Sequence, residues 1–454
     1  MKNSQRAIIS FAIMALLLGM VGATQSWNVS LAILNLCLIS AVMSLGLNIQ
    51  WGYAGLFNAG VMASTALGGL AAVWGSHSPV AAAWAVGGVD TGLAFVTLVL
   101  TALGAWWIRT KVPAGTLRSF LFLAWLLGGY ALLRHFYDQA SLNIEAVDPS
   151  QTGFLGGLGL PILTSWIAGG VAAAGLAWVV GRIALGLRSD YFAIATLGIS
   201  EIIISILKNE DWLTRGVKNV TGLERPVPYE VDLQQSQWFE DLVIRLHSAD
   251  PNRIREETLQ EMVMSASGIF VKLCYSGLFL TVLLVILGLA ALALNSPWGR
   301  MMRAIRDNEI AAAAMGKDVT NRHRQVFILG SAVIGVAGAM LTTLDGQFTP
   351  GSYIPLRFTF LIWVMVIIGG SGNNLGAVLG AFITWFAWIE AEPVALWAVE
   401  ILNSFLSEAN PLRQHFIDVA PHLRMVVMGL MLVLVLRFRP EGILPERNTS
   451  RNWS

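Results

Sequence analysis

The sequence predicts an all-α, multi-pass membrane protein, and three observations carry that prediction. Of 454 residues, 55% are hydrophobic and 13% charged, about half the ~25% charge of an ordinary soluble domain. Apolar windows of roughly 20 residues, the length that crosses a ~30 Å hydrocarbon core, recur along nearly the whole chain. Arginine and lysine collect in alternate connections between those windows. Because lipid offers no partner for a free N–H or C=O, the spanning backbone is expected to be helical.

The windows fall at 7–24, 29–49, 53–74, 82–108, 120–133, 162–181, 191–207, 269–294, 326–344, 358–368, 375–389 and 422–436. They predict about 10–12 transmembrane helices in a single transmembrane domain, 1–454, the shorter windows being either spanning or re-entrant. The first follows Lys2 and Arg6 and contains Val21-Gly22-Ala23. It is long enough to be retained as a helix, the favoured reading, although a cleavable signal has the same pattern. With the N-terminus inside, the connections bearing Arg109, Lys111 and Arg118, then Arg182 and Arg188, then the arginines of 300–324, then Arg437 and Arg439, all fall on the cytoplasmic face, as the positive-inside rule requires. The connection 134–161, with Asp138, Glu145 and Asp148, falls outside.

One outer connection is long. Residues 208–268 carry seven Lys/Arg against eleven Asp/Glu, and a loop of that length is exempt from the charge rule. The spacing of Phe239, Leu242, Val243 and Leu246 predicts one or two small surface helices there, serving either as a cover over the outer mouth or as a docking surface.

Enzyme chemistry is hard to place on this chain. The six histidines are scattered with no paired spacing, and neither GxSxG nor GxGxxG opens a strand–helix unit. Cys37 and Cys274 both lie in apolar windows without metal-ligand spacing. A net charge of +1 gives no field that would gather nucleic acid. No phosphate-cradling loop is present, since Gly316-Lys317 is followed by Asp318, so any ATP-driven motor must be on another polypeptide. No cofactor is expected.

Candidate path residues come from interrupted apolar segments. WGYAGLFNAGVMA (51–63) and IIGGSGNNLGAVLGA (367–381) are both glycine-broken with asparagine in the middle, the pattern that marks a transporter's substrate route when it occurs in both halves. They nominate Gly52, Tyr53, Gly55, Asn58, Gly370, Asn373 and Asn374. Small residues at such spacing also serve plain helix contact, as Gly376 and Gly380 can. Among ionisable groups in or near the spans (Asp90, Glu201, Asp345, Glu390 and Glu392), Glu201 is the deepest; it either faces the path or pairs within the bundle.

Residues 296–316, SPWGRMMRAIRDNEIAAAAMG, place three arginines, an aspartate and a glutamate within ten residues of an otherwise apolar chain. Ser296 suits a cap, Pro297 a first turn and Gly316 a terminus, so one amphipathic helix is predicted. Trp298, Met301, Met302, Ile305, Ala312 and Met315 form its apolar face and Arg300, Arg303, Arg306 and Asp307 are their polar neighbours. Such a helix meets either a partner protein or the inner leaflet.

GRMMRAIRDNEIAAAAMGKDV closely resembles the cytoplasmic loop of the permeases of branched-chain amino-acid ABC transporters, in the LivM-like branch. LRSDYFAIATLGISEII (187–203), GYAGLFNAG, VIIGGSGNNLGAVLGA and RPEGILPE (439–446) resemble further elements of that family, in family order, from about residue 45 onward. Phe57-Asn58 stands where many relatives have Gln/Ser, VKNVTGLERP replaces a TGGPNGI-like stretch, and about 94–160 resembles an insertion.

The resemblance implies an inner-membrane permease subunit. Its partners would be two ABC ATPase subunits, a second homologous permease and an extracytoplasmic solute-binding protein, with membrane lipid around it. Residues 296–324 would be the coupling loop, with Arg300, Arg303, Arg306, Asp307 and Glu309 in polar contact with the ATPase, Ile305, Ile310 and the alanines filling its groove, and Gly316 closing the helix. Branched-chain or other neutral amino acids are the implied cargo. Urea, short amides, and a stand-alone carrier or channel are the alternatives.

Overall fold

The computed structural model describes residues 3–148, 153–216, 218–247, 256–404 and 412–446. Its helices, in order, are α1 (Asn3–Thr24), α2 (Trp27–Ala54), α3 (Val61–Ser76), α4 (Ala81–Lys111), α5 (Thr116–Val147), α6 (Ile162–Ala184), α7 (Ser189–Asn209), the short α8 (Asp211–Thr214), α9 (Glu230–Gln234) and α10 (Gln237–Leu246), then α11 (Glu256–Asn295), α12 (Pro297–Asp307), α13 (Glu309–Ala314), α14 (Val319–Asp345), α15 (Pro355–Gly369), α16 (Asn374–Ser404), α17 (Leu412–Val419) and α18 (Leu423–Phe438). Among the described residues nine helices are long and apolar enough to cross a membrane, and Val61–Ser76 and Phe358–Gly369 are shorter apolar helices. Eleven of the twelve apolar windows lie on helix without interruption, and the chain is an all-α polytopic membrane protein.

Two boundaries differ from the sequence reading in ways that matter. The third window straddles a break, because Gly55 takes φ +73° and ends α2 by donating its N–H to the Gln50 and Trp51 carbonyls; helix resumes only at Val61. The predicted helix over 296–316 is two helices. Asn308 is extended (φ −156°, ψ 96°), closing α12 and opening α13, where its side chain accepts the Ala311 N–H at 2.9 Å. Asn competes with the helix for its own backbone bonds, so the polypeptide turns at Asn308.

Glycine sets how closely the centre packs. A Cβ on Gly68 of α3 would lie 1.9 Å from the Gly335 carbonyl of α14, and one on Gly338 2.0 Å from the Thr65 carbonyl. α3, α6 and α14 therefore meet backbone to backbone, as small-residue membrane interfaces do. Gly376 and Gly380 do the same between α15 and α16, where a Cβ on Gly380 would fall 1.8 Å from the Met365 carbonyl. α2 runs through the middle of this cluster, buried along most of its length.

α4 and α5 form a hairpin that packs on itself and is mostly exposed elsewhere; this is the stretch whose sequence resembles an insertion. The outer connection is built down onto the bundle. Val220–Thr221 pairs antiparallel with Gln347–Phe348 after α14, and Val220, Leu223, Leu233, Phe239 and Val243 are buried in the main core. Helix α11 begins at Glu256, so 256–268 are the first turns of a 40-residue helix.

Candidate functional site: an arginine junction and a central cavity

Arg306 is where the two predicted sets of residues meet. Arg306 Nη1 donates to the main-chain carbonyl of Gly52 in the last turn of α2 and pairs with Glu446 Oε2 at 3.0 Å, while Nη2 lies 3.1 Å from Asp307. Burial works against the Arg306 charge, but the hydrogen-bonded Glu446 and Asp307 carboxylates outweigh it and hold the guanidinium more firmly protonated than usual. Gly52 in turn lies against the glycine turn of the second broken segment. Asn48 Oδ1 accepts the Gly372 N–H at 2.9 Å, and its amide donates to Asn374 Oδ1 at 3.1 Å. Asn373 donates to the Leu444 and Pro445 carbonyls, and the Ile443 and Leu444 N–H groups bond the Ile368 and Gly369 carbonyls. α12, the end of α2, the 370–374 turn and the stretch 443–446 after α18 form one hydrogen-bonded junction, with Tyr53 buried beside it.

The remaining residues of the charged segment divide by face. Met302 and Ile305 are buried, Ile305 at 1% exposure, against Val319, Val326, Phe327 and the end of α11. Ile305 therefore anchors α12 to its own bundle and is not presented to a partner, a correction to the reading that set it in an ATPase groove. Arg300 and Arg303 reach back to the carbonyls of Asn295 and Leu294, closing the last turn of α11. What faces outward is Asp307, Glu309, Ile310 at 83% exposure, and Met315 at 79%, followed by Gly316 in a left-handed turn at φ +76°.

Asn58 lies on the other side of the α2–α3 break, fully buried. Its amide donates to Gln50 Oε1 at 2.9 Å and its Oδ1 accepts the Gly60 N–H at 2.8 Å. Gln50 itself donates to the Phe327 carbonyl and to Ser331 Oγ. From α15, Trp363 Nε1 donates to the Asn58 carbonyl at 3.0 Å, and the Trp363 ring lies 4.2 Å from Phe57 and 4.7 Å from Trp51. The side chain and carbonyl of Asn58 thus find protein partners, as irregular backbone away from water requires.

Beyond this layer, toward the outer side, α2, α3, α14, α15 and α16 enclose a cavity of about 240 Å³. Apolar side chains line most of it, with Ser40, Thr65, Asp345, Gln347, Thr349 and Tyr353 supplying polar groups. Judged by position along their helices, Met43, Met62 and Met365 are its innermost lining residues. The path residues nominated from sequence do not line it: Gly52, Tyr53, Gly55, Asn58, Gly370, Asn373 and Asn374 belong to the layer beneath. Glu201 lies on the exposed face of α7, away from both. The cavity's own residues carried no motif; the glycine-broken segments 51–63 and 367–381 signalled the layer below.

The family described as branched-chain amino acid transport system, permease component, matches residues 29–436. Similar curated proteins include the high-affinity branched-chain amino acid transport system permease protein LivM of Salmonella typhimurium, 25% identical over 293 residues, 63% of this chain and 58% of the relative. The Escherichia coli LivM protein is 25% identical over 296 residues, with the same coverage. A probable branched-chain amino acid transport permease protein LivM from Methanocaldococcus jannaschii is 26% identical over 154 residues, 34% of this chain and 41% of the relative. The matched region spans less than two thirds of each of these relatives' own lengths. No solved structure matches the chain.

Proposed function

Because the chain belongs to the branched-chain amino acid transport permease family, we propose that it is the inner-membrane permease subunit of an ABC importer for branched-chain or other neutral amino acids. The family is one of transport components and not of enzymes. In this reading two ATPase subunits act from the cytoplasmic side, a second homologous permease completes the membrane unit, and an extracytoplasmic solute-binding protein delivers the cargo.

The observation that carries the reading is the Arg306 junction. A partner pressing on the outward face of α12 and α13, at Glu309, Ile310 and Met315, acts on a unit whose other face is locked into the bundle by Met302 and Ile305. Arg306 links that unit to the end of α2 and, through Glu446, to the stretch 443–446 that braces the 370–374 turn. Those elements adjoin α3 and α15, whose inner ends floor the cavity. Movement of the coupling unit therefore reaches the layer beneath the cavity through hydrogen bonds and the cavity itself through the packing of α2, α3 and α15.

The test is reconstitution. Liposomes holding this chain with the ATPase, second permease and binding protein encoded beside it should take up labelled leucine only with internal or external ATP supplied to the ATPase face. Uptake by this chain alone would overturn the reading in favour of a stand-alone carrier, and uptake of urea or a short amide in place of leucine would replace the cargo.

A further inference from the structure

A second space lies beside the central cavity. A groove of about 410 Å³ between α2, α16 and α18 is walled by Leu36, Trp385, Ile389 and Leu396 and carries Glu392 and Arg424. Leu36 and Trp385 also line the central cavity, so these two side chains are a shared partition between the two spaces.

The polar groups of the groove are under-used. Arg424 Nη2 pairs with Glu392 Oε2, and the guanidinium lies 5.5 Å from the centre of the Trp388 ring. Arg424 Nε and Trp385 Nε1 are buried and have no hydrogen-bond partner among the described residues. Pro393, inside α16, removes the N–H that the Ile389 carbonyl would otherwise accept. One apolar groove thus holds a cation with a spare donor, an anion, an indole N–H and a carbonyl that has lost its helical donor.

Resting on the reading of the chain as an amino-acid permease, we propose that this groove is an access site for a zwitterion bearing an apolar side chain. Its carboxylate takes Arg424, its ammonium takes Glu392 and the Ile389 carbonyl, and its side chain lies on Leu36, Ile389 and Leu396. The solute then passes Trp385 into the central cavity. Binding exchanges one ion pair for two, so neither protein charge is left bare. An analogue with only one of the two charges leaves Arg424 or Glu392 without its partner, which costs roughly 10- to 100-fold in affinity. A zwitterionic lipid headgroup offers the same pair of charges, and the test separates it from a free amino acid.

The full-length chain in phosphatidylglycerol nanodiscs is titrated calorimetrically with L-leucine, leucinamide and 4-methylpentanoate. Leucine should bind saturably, and the two singly charged analogues at least tenfold more weakly. Arg424→Gln and Glu392→Gln should each weaken leucine by a similar factor, and Glu392→Arg combined with Arg424→Glu, which keeps an ion pair if the single variants fold poorly, should recover part of it. Trp385→Ala removes the partition between the two spaces and should change the KM of ATP-driven uptake in the reconstituted assembly. No leucine binding, equal affinity for all three probes, unchanged affinity in both charge variants, or loss of leucine binding when phosphatidylethanolamine replaces phosphatidylglycerol overturns the access site. ATP-driven leucine uptake with normal KM in Arg424→Gln overturns the access site alone, whereas absence of leucine uptake by the wild-type assembly overturns the importer reading and this one with it.

Discussion

Arg306 on the short helix α12 donates to the carbonyl of Gly52 on α2, two residues that stand 254 positions apart in the chain. The contact ties a strongly charged segment to the end of the long buried helix α2, and Glu446 pairs with the guanidinium from the C-terminal part of the sequence.

Arg306→Ala should therefore separate force from movement. ATP-driven uptake in proteoliposomes is expected to fall at least about tenfold, while the ATPase still co-purifies with the chain, because the outward face is untouched. Arg306→Lys keeps the charge but loses the fork that reaches Gly52 and Glu446 together, and should restore only part of the rate. Full uptake by the alanine variant would remove Arg306 from the transmission route.

The two isoleucines of the charged segment should behave oppositely. Ile305→Ala opens a hole under α12 and is expected to cost about 2–5 kcal/mol, read as a lowered melting temperature of the purified chain. Ile310→Asp, at a position 83% exposed, should leave that temperature unchanged and weaken retention of the ATPase on a pull-down. Equal melting shifts for the two would contradict the division of faces.

Gly68 has no room for a side chain. Gly68→Leu would drive a Cβ to within 1.9 Å of the Gly335 carbonyl, and neither backbone can yield without separating α3 from α14. The expected result is loss of the monodisperse peak in size-exclusion chromatography. Gly198→Leu, where a Cβ meets nothing within 4 Å, is the matched control and should be tolerated.

Ser40 offers a way to fill the central cavity without touching the junction. Ser40→Phe should lower uptake by about tenfold or more with normal membrane abundance and normal ATPase binding. Unimpaired uptake would place the route outside the cavity.

Much of the fold was legible because lipid imposes one period and one length. Eleven of the twelve windows became uninterrupted helix, and the arginines from Arg300 onward marked the charged segment that folds as α12 and α13. The joint at Asn308 was hidden by the strong helix propensity of the alanines that follow it. The placement of Ile305 was hidden for a different reason: amphipathicity identifies an apolar face but not whether that face meets its own chain or another. Asn58 and Gly52 were singled out correctly as part of a glycine break, yet the cavity lies above them. Its lining of Met43, Met62, Met365 and Ser40 has no period or motif, since the cavity is assembled from five helices brought together by tertiary packing. Glu446 could have been paired in advance with an arginine of the coupling segment by charge, but nothing in the sequence selects Arg306 over its neighbours.

The shortness of α3 and α15 has a consequence for the energy of opening. At 16 and 15 residues each reaches only about 22–24 Å, well under the ~30 Å apolar thickness, and both stop at turns on the same side. The barrier between cavity and junction is consequently not made of apolar side chains alone. Beneath Met43, Met62 and Met365 and beside the rings of Trp51, Phe57 and Trp363 it is main chain bound by the amides of Asn48, Gln50 and Asn58. Once parted, each of those groups can exchange its protein partner for water at little net loss. Hydration of the opened passage is then nearly neutral in free energy, and a modest push on α12 can suffice to shift the balance between sealed and open.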